Sequence, residues 1–404
     1  MGTAQSNHFI MQKENIEISS LPKMINGKKA SQIGRQQRLF ILSQAISVYK
    51  NPIKALAGLK KLIELRNAVH GNERIKKYVE SDGVYYWSTD YPGFPSNNFK
   101  KAIRNEFLKS KNGLDGANYI QTVIWSITNR CPLQCNHCYD WDNIDSKDKL
   151  SINQLQEILA KLENLGVNHI QLSGGEPLAR FDDLVSIISS ASDRVDFWIL
   201  TSGFGLTLEK AIQLKQAGTI GLNISLDHWD REKHNQFRNN HSSFDWVVKA
   251  VEASIKAGLL VSLSLCATRE FVTEDNLKEY TEFANSLGVH FVRILEPRSV
   301  GRFFGKKVNL DESQIKILEN HCVEVNNLPN FQNYPTVKFI GYHQRKLGCM
   351  GAGNRYFYID AHGDVHACPF CQGKQGNVFE ANIEDILEKL RSIGCHLFNT
   401  NHSN

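Results

Sequence analysis

Long apolar runs are missing from this chain of 404 residues. None approaches the ~18 residues that suggest a membrane span, so the sequence predicts a protein that is soluble or at most peripheral. Cysteine is scarce as well. Nine over this length are too few for a disulfide scaffold, and no basic, apolar, small-residue series marks a secretory signal at the N-terminus. Both absences point to a reducing cytoplasm, where thiols stay available as ligands. What is present is an apolar fraction of 41%, enough for a sizeable core.

Charge is unevenly spread. Residues 1–112 carry 19 Lys and Arg against 8 Asp and Glu, and the remainder carries 28 against 34. A basic arm of this kind suits an acidic peptide, nucleic acid or an anionic surface, although a solvated helical face is the commoner explanation; no nucleic-acid partner is expected. Residues 1–33 are polar and aperiodic, with Pro22 and Gly27 as breakers, and read as a flexible leader. Residues 34–118 read as a basic amphipathic helical arm with an aromatic segment. Leu39, Leu42, Ile46, Tyr49, Ile53, Leu56, Leu59 and Ile63 recur at helical spacing around a break at Pro52, and packing of that stripe beneath the main domain is the favoured reading over a membrane contact through 35–70. "VYYWSTDYPGFPS", from Val84 to Ser96, predicts a short hairpin or a wall under the main domain.

From residue 121 a unit repeats. Helical stretches close on Gly166, Gly218, Gly258 and Gly288, each followed by an apolar strand. Ser151 to Gln154 forms a capping box, and Thr273 opens the helix that ends near Gly288. Strands near 122–128, 168–173, 196–201, 221–226, 260–266 and 290–295 give six β/α units, which require a parallel sheet with helices outside, as a partial barrel or an open sheet. Either architecture gathers chemistry at the C-terminal ends of the strands. There lie "CPLQCNHCYD" after the first strand, "SGGEP" after the second, "TSGFG" after the third and "SLDHW" after the fourth.

Cys131, Cys135 and Cys138 stand in C-x3-C-x2-C spacing. Structural zinc sites favour four ligands in paired C-x2-C units, whereas three thiolates on a four-iron cubane leave one iron open to a small molecule. This triplet, with His137 and Tyr139 around its third cysteine and "GGEP" after the next strand, resembles the radical S-adenosylmethionine (radical SAM) enzymes over residues 119–305. The resemblance implies an α/β fold, a partial (β/α)6 TIM-like barrel, in which Cys131, Cys135 and Cys138 hold a [4Fe–4S] cluster and the open iron binds S-adenosylmethionine. It further implies that Gly174, Gly175 and Glu176 meet the methionyl amine, that Ser202, Ser225 and Asp227 face nucleoside or substrate, and that Arg238 meets the methionyl carboxylate. His137 reads as a ring packed beside the cluster, and Asp227 equally as a helix cap.

A second cysteine set, Cys349, Cys368 and Cys371, lies in 306–404, where "NRYFYID" and "DVHA" read as a hairpin. Cys395 follows a predicted helix that would fold back to add a fourth ligand. The C-x13-G-x4-C-x2-C pattern resembles the SPASM and twitch extensions of radical SAM enzymes, which implies a hairpin-plus-helix module with a second, auxiliary [4Fe–4S] cluster; the same four thiolates would also make a zinc site. Cys266 and Cys322 read as inert buried thiols, and Arg298 and Arg302, placed near the same rim, as either substrate contacts or exposed linker residues. The resemblance implies an enzyme that cleaves S-adenosylmethionine with an electron from a flavodoxin or ferredoxin, with a peptide or protein as the leading substrate class. The alternatives are a small-molecule or lipid substrate at a membrane surface, and a non-enzymatic iron–sulfur or zinc protein.

Overall fold

A computed structural model describes residues 21–70, 75–112, 120–144, 147–192, 195–349 and 351–394. The basic arm supplies β1 (Lys23–Ile25), α1 (Gly27–Tyr49), α2 (Pro52–His70), β2 (Tyr78–Ser81), β3 (Val84–Tyr86) and α3 (Asn97–Asn112). Regular structure therefore starts inside the expected leader: β1 pairs with β2, and Gly27 opens α1 rather than breaking the chain. The break at Pro52 separates two helices as predicted, but only part of the expected stripe packs: Tyr49 and Leu59 lie against the arm's core. Leu39, Ile46, Ile53, Leu56 and Ile63 are exposed, while Ala30, Ile33, Ala45, Val48 and Ala55 are buried. Small residues set this choice by letting the helices approach closely; a Cβ on Gly58 would stand 2.4 Å from the Tyr49 ring.

The six predicted units are β4 (Thr122–Ser126), α4 (Ile152–Leu165), β5 (His169–Ser173), α5 (Phe181–Ser190), β6 (Asp196–Thr201), α6 (Leu208–Ala217), β7 (Thr219–Ser225), α7 (Arg231–Arg238), α8 (Ser243–Lys256), β8 (Leu260–Cys266), α9 (Glu274–Ser286) and β9 (Phe291–Leu295). The Ser151–Gln154 capping box and the Thr273 cap form as expected, and Gly166 and Gly218 close their helices in the left-handed region. Strands β4 to β9 pair in parallel in chain order. Ile170, Leu172, Leu222, Ile224, Val261 and Leu263 join helix residues such as Leu155, Ile158 and Leu184 in the main core. The alternate positions of the strands are polar: Gln171, Asn223, Ser262 and Arg293.

After α10 (Glu312–Asn327) come β10 (Thr336–Phe339), α11 (Ile340–Leu347), β11 (Tyr356–Ile359), β12 (Asp364–His366), β13 (Gly376–Asn377) and α12 (Ile383–Ile393). The hairpin of this region continues the barrel's sheet, and a helix follows it. β10 adds in parallel to β9, and β11 adds in parallel to β4, so the sheet reads β10-β9-β8-β7-β6-β5-β4-β11-β12-β13. The hairpin foreseen at 356–366 exists, and its first strand extends the barrel wall.

Asp90 shows that the sheet is strongly curved. Its carboxylate contacts Arg293 of β9 at 3.2 Å, Lys338 of β10 at 2.6 Å and Gln171 of β5 at 3.3 Å, although β5 and β9 are separated in the sheet by three strands. Arm residues Val79 and Tyr86 pack on Trp198, Leu260 and Phe291, and Asn98 bonds Asp196 at 2.7 Å and Asn168 at 3.2 Å. The arm thus closes the mouth at the strands' N-terminal ends, where the aromatic segment serves as the expected wall. Replacing Asp90 with alanine leaves two inward cations without their shared anion, an expected loss of about 2 kcal/mol. Urea unfolding followed by tryptophan fluorescence reads this, and an unchanged midpoint would show that the arm carries no such load.

Candidate active site at the open rim

Opposite the arm, the C-terminal ends of the strands gather the cysteine loop, the glycine turn and the acidic and basic groups. The loop after β4 is held from two sides: Asn136 N donates to Phe237 O at 2.9 Å, and Arg302 N to Cys138 O at 3.0 Å. Gly174 and Gly175 place the turn after β5 directly against the strand leading into Cys131. A Cβ on Gly174 would stand 2.6 Å from the Thr128 carbonyl oxygen, and one on Gly175 2.5 Å from that of Arg130. The close approach for which glycine is needed is therefore to the cysteine loop itself.

Burial pushes the Cys138 thiol up to about 11, with the charges of Cys135 and Asp140 adding to it. Cys131 is raised by burial and by the charges of Glu176, Cys135 and Cys138; Cys135 is raised by burial and Asp227 against the opposing Arg238. The three thiols thus share one low-dielectric pocket in which each disfavours ionisation of its neighbour. That donor set fits a cationic iron–sulfur cluster, which takes thiolates and neutralises their repulsion. Among the described residues no three His, Cys, Asp or Glu side chains converge tightly enough for a single metal ion; a cubane takes each thiolate on a different iron, so its donors need not share one centre.

Arg238 and Asp227 form a buried pair beside this loop. Arg238 Nε donates to Asp227 Oδ2 at 2.5 Å, Arg238 Nη1 lies 3.6 Å from Cys135 Sγ, and Cys266 N donates to Asp227 Oδ1 at 3.1 Å. Burial works to raise the Asp227 carboxyl, but Arg238, with His137 and His234, outweighs it and holds the group below the usual carboxylate range. The reading of Asp227 as a cap is corrected: α7 is capped by Asp230. His137 stacks on Phe237 with centroids 4.7 Å apart and planes 13° apart, and burial lowers its pKa to about 4. It is a neutral packing ring, as expected.

Glu176 and Ser202 differ from their expected roles. Glu176 Oε1 accepts from Leu178 N at 3.0 Å and Thr201 Oγ1 at 2.6 Å, and Oε2 accepts from Ser202 N at 2.8 Å and Ser202 Oγ at 2.5 Å. All four acceptor positions of the carboxylate are filled, so Glu176 braces the turn after β5 to the end of β6 and Ser202 is spent on that brace. His137, Tyr139, Ser225, Asp227 and Arg238 are brought together around one cavity of about 140 Å³; Gly174, Gly175, Glu176 and Ser202 do not line it.

Cys266, Arg298 and Glu296 also line it, none of them among the site residues that the resemblance implies. Cys266, the last residue of β8, lines the cavity at the same strand parity as Ser262 and Ser264, the signal that could have found it. Arg298 is a lining residue with its side chain 14% exposed, not a solvated linker. Glu296 pairs with Arg345 of α11, one contact at 2.7 Å, and with Arg298 at 3.8 Å. The chain separation of Glu296 and Arg345 hides this pair from sequence reading.

The second thiol set abuts the first. Cys368 and Cys371 face each other across an antiparallel bridge, with Cys371 N donating to Cys368 O at 3.0 Å. The Cys368 thiol is raised by its hydrogen bond with the Cys371 thiol, by burial and by the charges of Cys371 and Cys349. The charge of Cys349 reaches this pair, and Gly351 N donates to Cys349 Sγ at 3.3 Å; Cys395 lies outside the described residues. Tyr139 joins the two sets, its ring meeting Tyr358 at 6.2 Å and Phe370 at 6.1 Å, while Gln372 Nε2 donates to Tyr139 O.

Comparison with known proteins agrees with this arrangement. Residues 125–284 match the family model described as the radical SAM superfamily. The mycofactocin maturase MftC of Mycolicibacterium smegmatis is 29% identical over 256 residues, 61% of this chain and 64% of the relative, so the chain spans less than two thirds of that protein. A probable GTP 3',8-cyclase of Methanocella arvoryzae is 32% identical over 140 residues, 35% of this chain and 45% of the relative. Among solved structures, Streptococcus suis SuiB bound to precursor peptide SuiA superposes with a TM-score of 0.57 at 16% identity, covering 86% of this chain and 81% of SuiB. The anSMEcpe enzyme with bound AdoMet gives 0.53 at 16% identity, covering 68% and 83%. At those identities the superpositions show the fold, an open parallel barrel. Joined with the thiol triad on its rim and the family match across it, that fold leads to one conclusion: residues 125–284 of this chain are similar to the radical SAM superfamily, and a second thiol set, Cys349, Cys368 and Cys371, follows them.

Proposed function

We propose that this chain is a radical SAM maturase that modifies a peptide or protein. Cys131, Cys135 and Cys138 would hold a [4Fe–4S] cluster, which would supply the reducing electron for cleavage of S-adenosylmethionine and so the chemistry for taking hydrogen from substrate. The chain's own residues bind, orient and shield. Arg238, held by Asp227, brings positive charge beside Cys135 where the methionyl carboxylate would sit; Ser225 and Arg298 line the adjoining cavity; and Phe237 and His137 exclude water from it. Cys349, Cys368 and Cys371 are proposed to hold an auxiliary cluster with Cys395 as fourth ligand, and the partners are S-adenosylmethionine and a flavodoxin- or ferredoxin-type donor in the cytoplasm.

The observation that carries the reading is the three-thiol rim beside the Arg238–Asp227 pair. The substrate class rests on reach: the maturase alignment covers 61% of the chain, the cyclase alignment 35%, which favours a peptide over a nucleotide-like small molecule. Anaerobic reconstitution followed by dithionite and S-adenosylmethionine tests the activity. Release of 5′-deoxyadenosine is expected, and none from a fully loaded cluster would overturn it.

The exposed face of α1 and α2 supports a second reading, of where the protein works. Among the described residues no helix is long and apolar enough to cross a membrane. Yet Ile53 is 78% exposed and Leu39 62%, and residues 27–70 carry nine Lys and Arg against Glu64, a composition suited to the surface of an anionic bilayer. Flotation with phosphatidylglycerol vesicles should carry the full chain upward at low salt, and Ile53→Glu with Leu56→Glu should lower the bound fraction about tenfold. Wild-type protein that stays at the bottom would contradict the surface contact.

A further inference from the structure

A groove of about 1260 Å³ opens from the rim beside Asp227 and Cys266. Its walls come from α7, from the turn after β8, from the loop after β9 and from Trp141. Its volume exceeds the roughly 300–1,000 Å³ of sites for small ligands and cofactors, so it has room for a length of chain.

The charge of the groove is one-sided. Lys233, Arg269, Arg302, Lys306 and Lys307 line it, whereas its carboxylates are the exposed Glu270 and the buried Asp227, which is committed to Arg238. Arg269 is partly spent on Asp311 at 3.4 Å and on Asn309 O at 2.6 Å. Lys233, Lys306 and Lys307 are exposed, and among the described residues none of their ammonium groups forms an ion pair, although the Asp230 carboxylate lies near Lys233.

Aromatic surface lies between these cations. Phe304 is 81% exposed, a large apolar side chain left in water, and Trp141 is 46% exposed with the Arg302 guanidinium 5.5 Å from its ring. Lys306 sits 5.6 Å from the Phe303 ring. Exposed aromatics among unpaired cations, leading to a buried reactive rim, match a segment that brings carboxylates and apolar side chains together.

We propose that this groove seats an acidic stretch of the peptide substrate and feeds the adjoining residue to the rim. This inference rests on the peptide-modifying reading. The cations set register and encounter rate, and the aromatics bury apolar side chains of the segment.

The test is anaerobic fluorescence anisotropy with the reconstituted full chain and two labelled twelve-residue peptides, one alternating Glu with Phe and Gly, the other with Lys at every Glu position. The Glu peptide should bind at least about tenfold more tightly at low salt, and the preference should shrink as salt is raised. Lys233→Glu, Lys306→Glu and Lys307→Glu together should remove that preference. The equal charge change at Lys249→Glu, Lys278→Glu and Lys316→Glu, exposed on α8, α9 and α10, should leave affinity within about twofold. Phe304→Ala should weaken the Glu peptide several-fold without changing the salt dependence.

Equal binding of both peptides, or equal losses in the two triple variants, would overturn the proposal. Binding needs no electron transfer, so the two readings fail separately. Peptide preference without 5′-deoxyadenosine release would sink the radical chemistry alone, and release without preference would sink the groove alone.

Discussion

Cys135→Ala is expected to reduce 5′-deoxyadenosine release to background. Cys135 is the most buried of the three rim thiols, and it is the one whose sulfur lies near Arg238, at 3.6 Å. Its loss leaves two thiolates for a cluster that needs three protein ligands and leaves the guanidinium without its sulfur neighbour. Cys322→Ala is the matched control: Cys322 lies in α10, packs against the main core and belongs to neither thiol set, so release should persist. Retained cleavage in Cys135→Ala would place the cofactor chemistry elsewhere in the chain.

Cys371→Ala should remove about four irons per chain, one cubane's worth, while the rim cluster assembles and cleaves S-adenosylmethionine in the absence of substrate. Cys368, Cys371 and Cys349 are electrostatically coupled, and the 368–371 bridge fixes two of them across one short turn, so removing one thiol leaves that site below its ligand count. Metal analysis separates the outcomes. Iron falling to zero would make the two sets one assembly, and iron unchanged with zinc lost would make the second site a zinc site. Product formation from a peptide is expected to fail in this variant even where cofactor cleavage survives, because Tyr139 and Phe370 join the second set to the reactive cavity.

The six strands were legible because all carry alternating or continuous apolar residues and four of them, β5, β7, β8 and β9, follow the glycines at 166, 218, 258 and 288. The rim was legible because short chemical signatures fall where those strands end. Pairing between segments distant in the chain was not. "TVKF", now β10, is too short to stand out, and nothing local in "YFYI" tells a free hairpin from a strand added to β4. Helical spacing in α1 and α2 announced helices correctly but not the full inward face, since Ala45, Ala55 and Gly58 join Ile33 and Val48 at the contact while Leu39, Ile53 and Leu56 stay outside. Residue roles were hardest. Glu176 and Ser202 carry the right chemistry for a ligand, yet they satisfy each other, and Glu296 finds Arg345 only once α11 has docked on β9.

A cluster held by Cys131, Cys135 and Cys138, as proposed, would have one iron open to S-adenosylmethionine. Low-temperature electron paramagnetic resonance of the dithionite-reduced Cys349→Ala, Cys368→Ala and Cys371→Ala triple variant, recorded with and without S-adenosylmethionine, tests it most directly because only the rim cluster remains. One reduced-cluster signal is expected, with g-values that shift when S-adenosylmethionine is added. Identical spectra at saturating cofactor would contradict it.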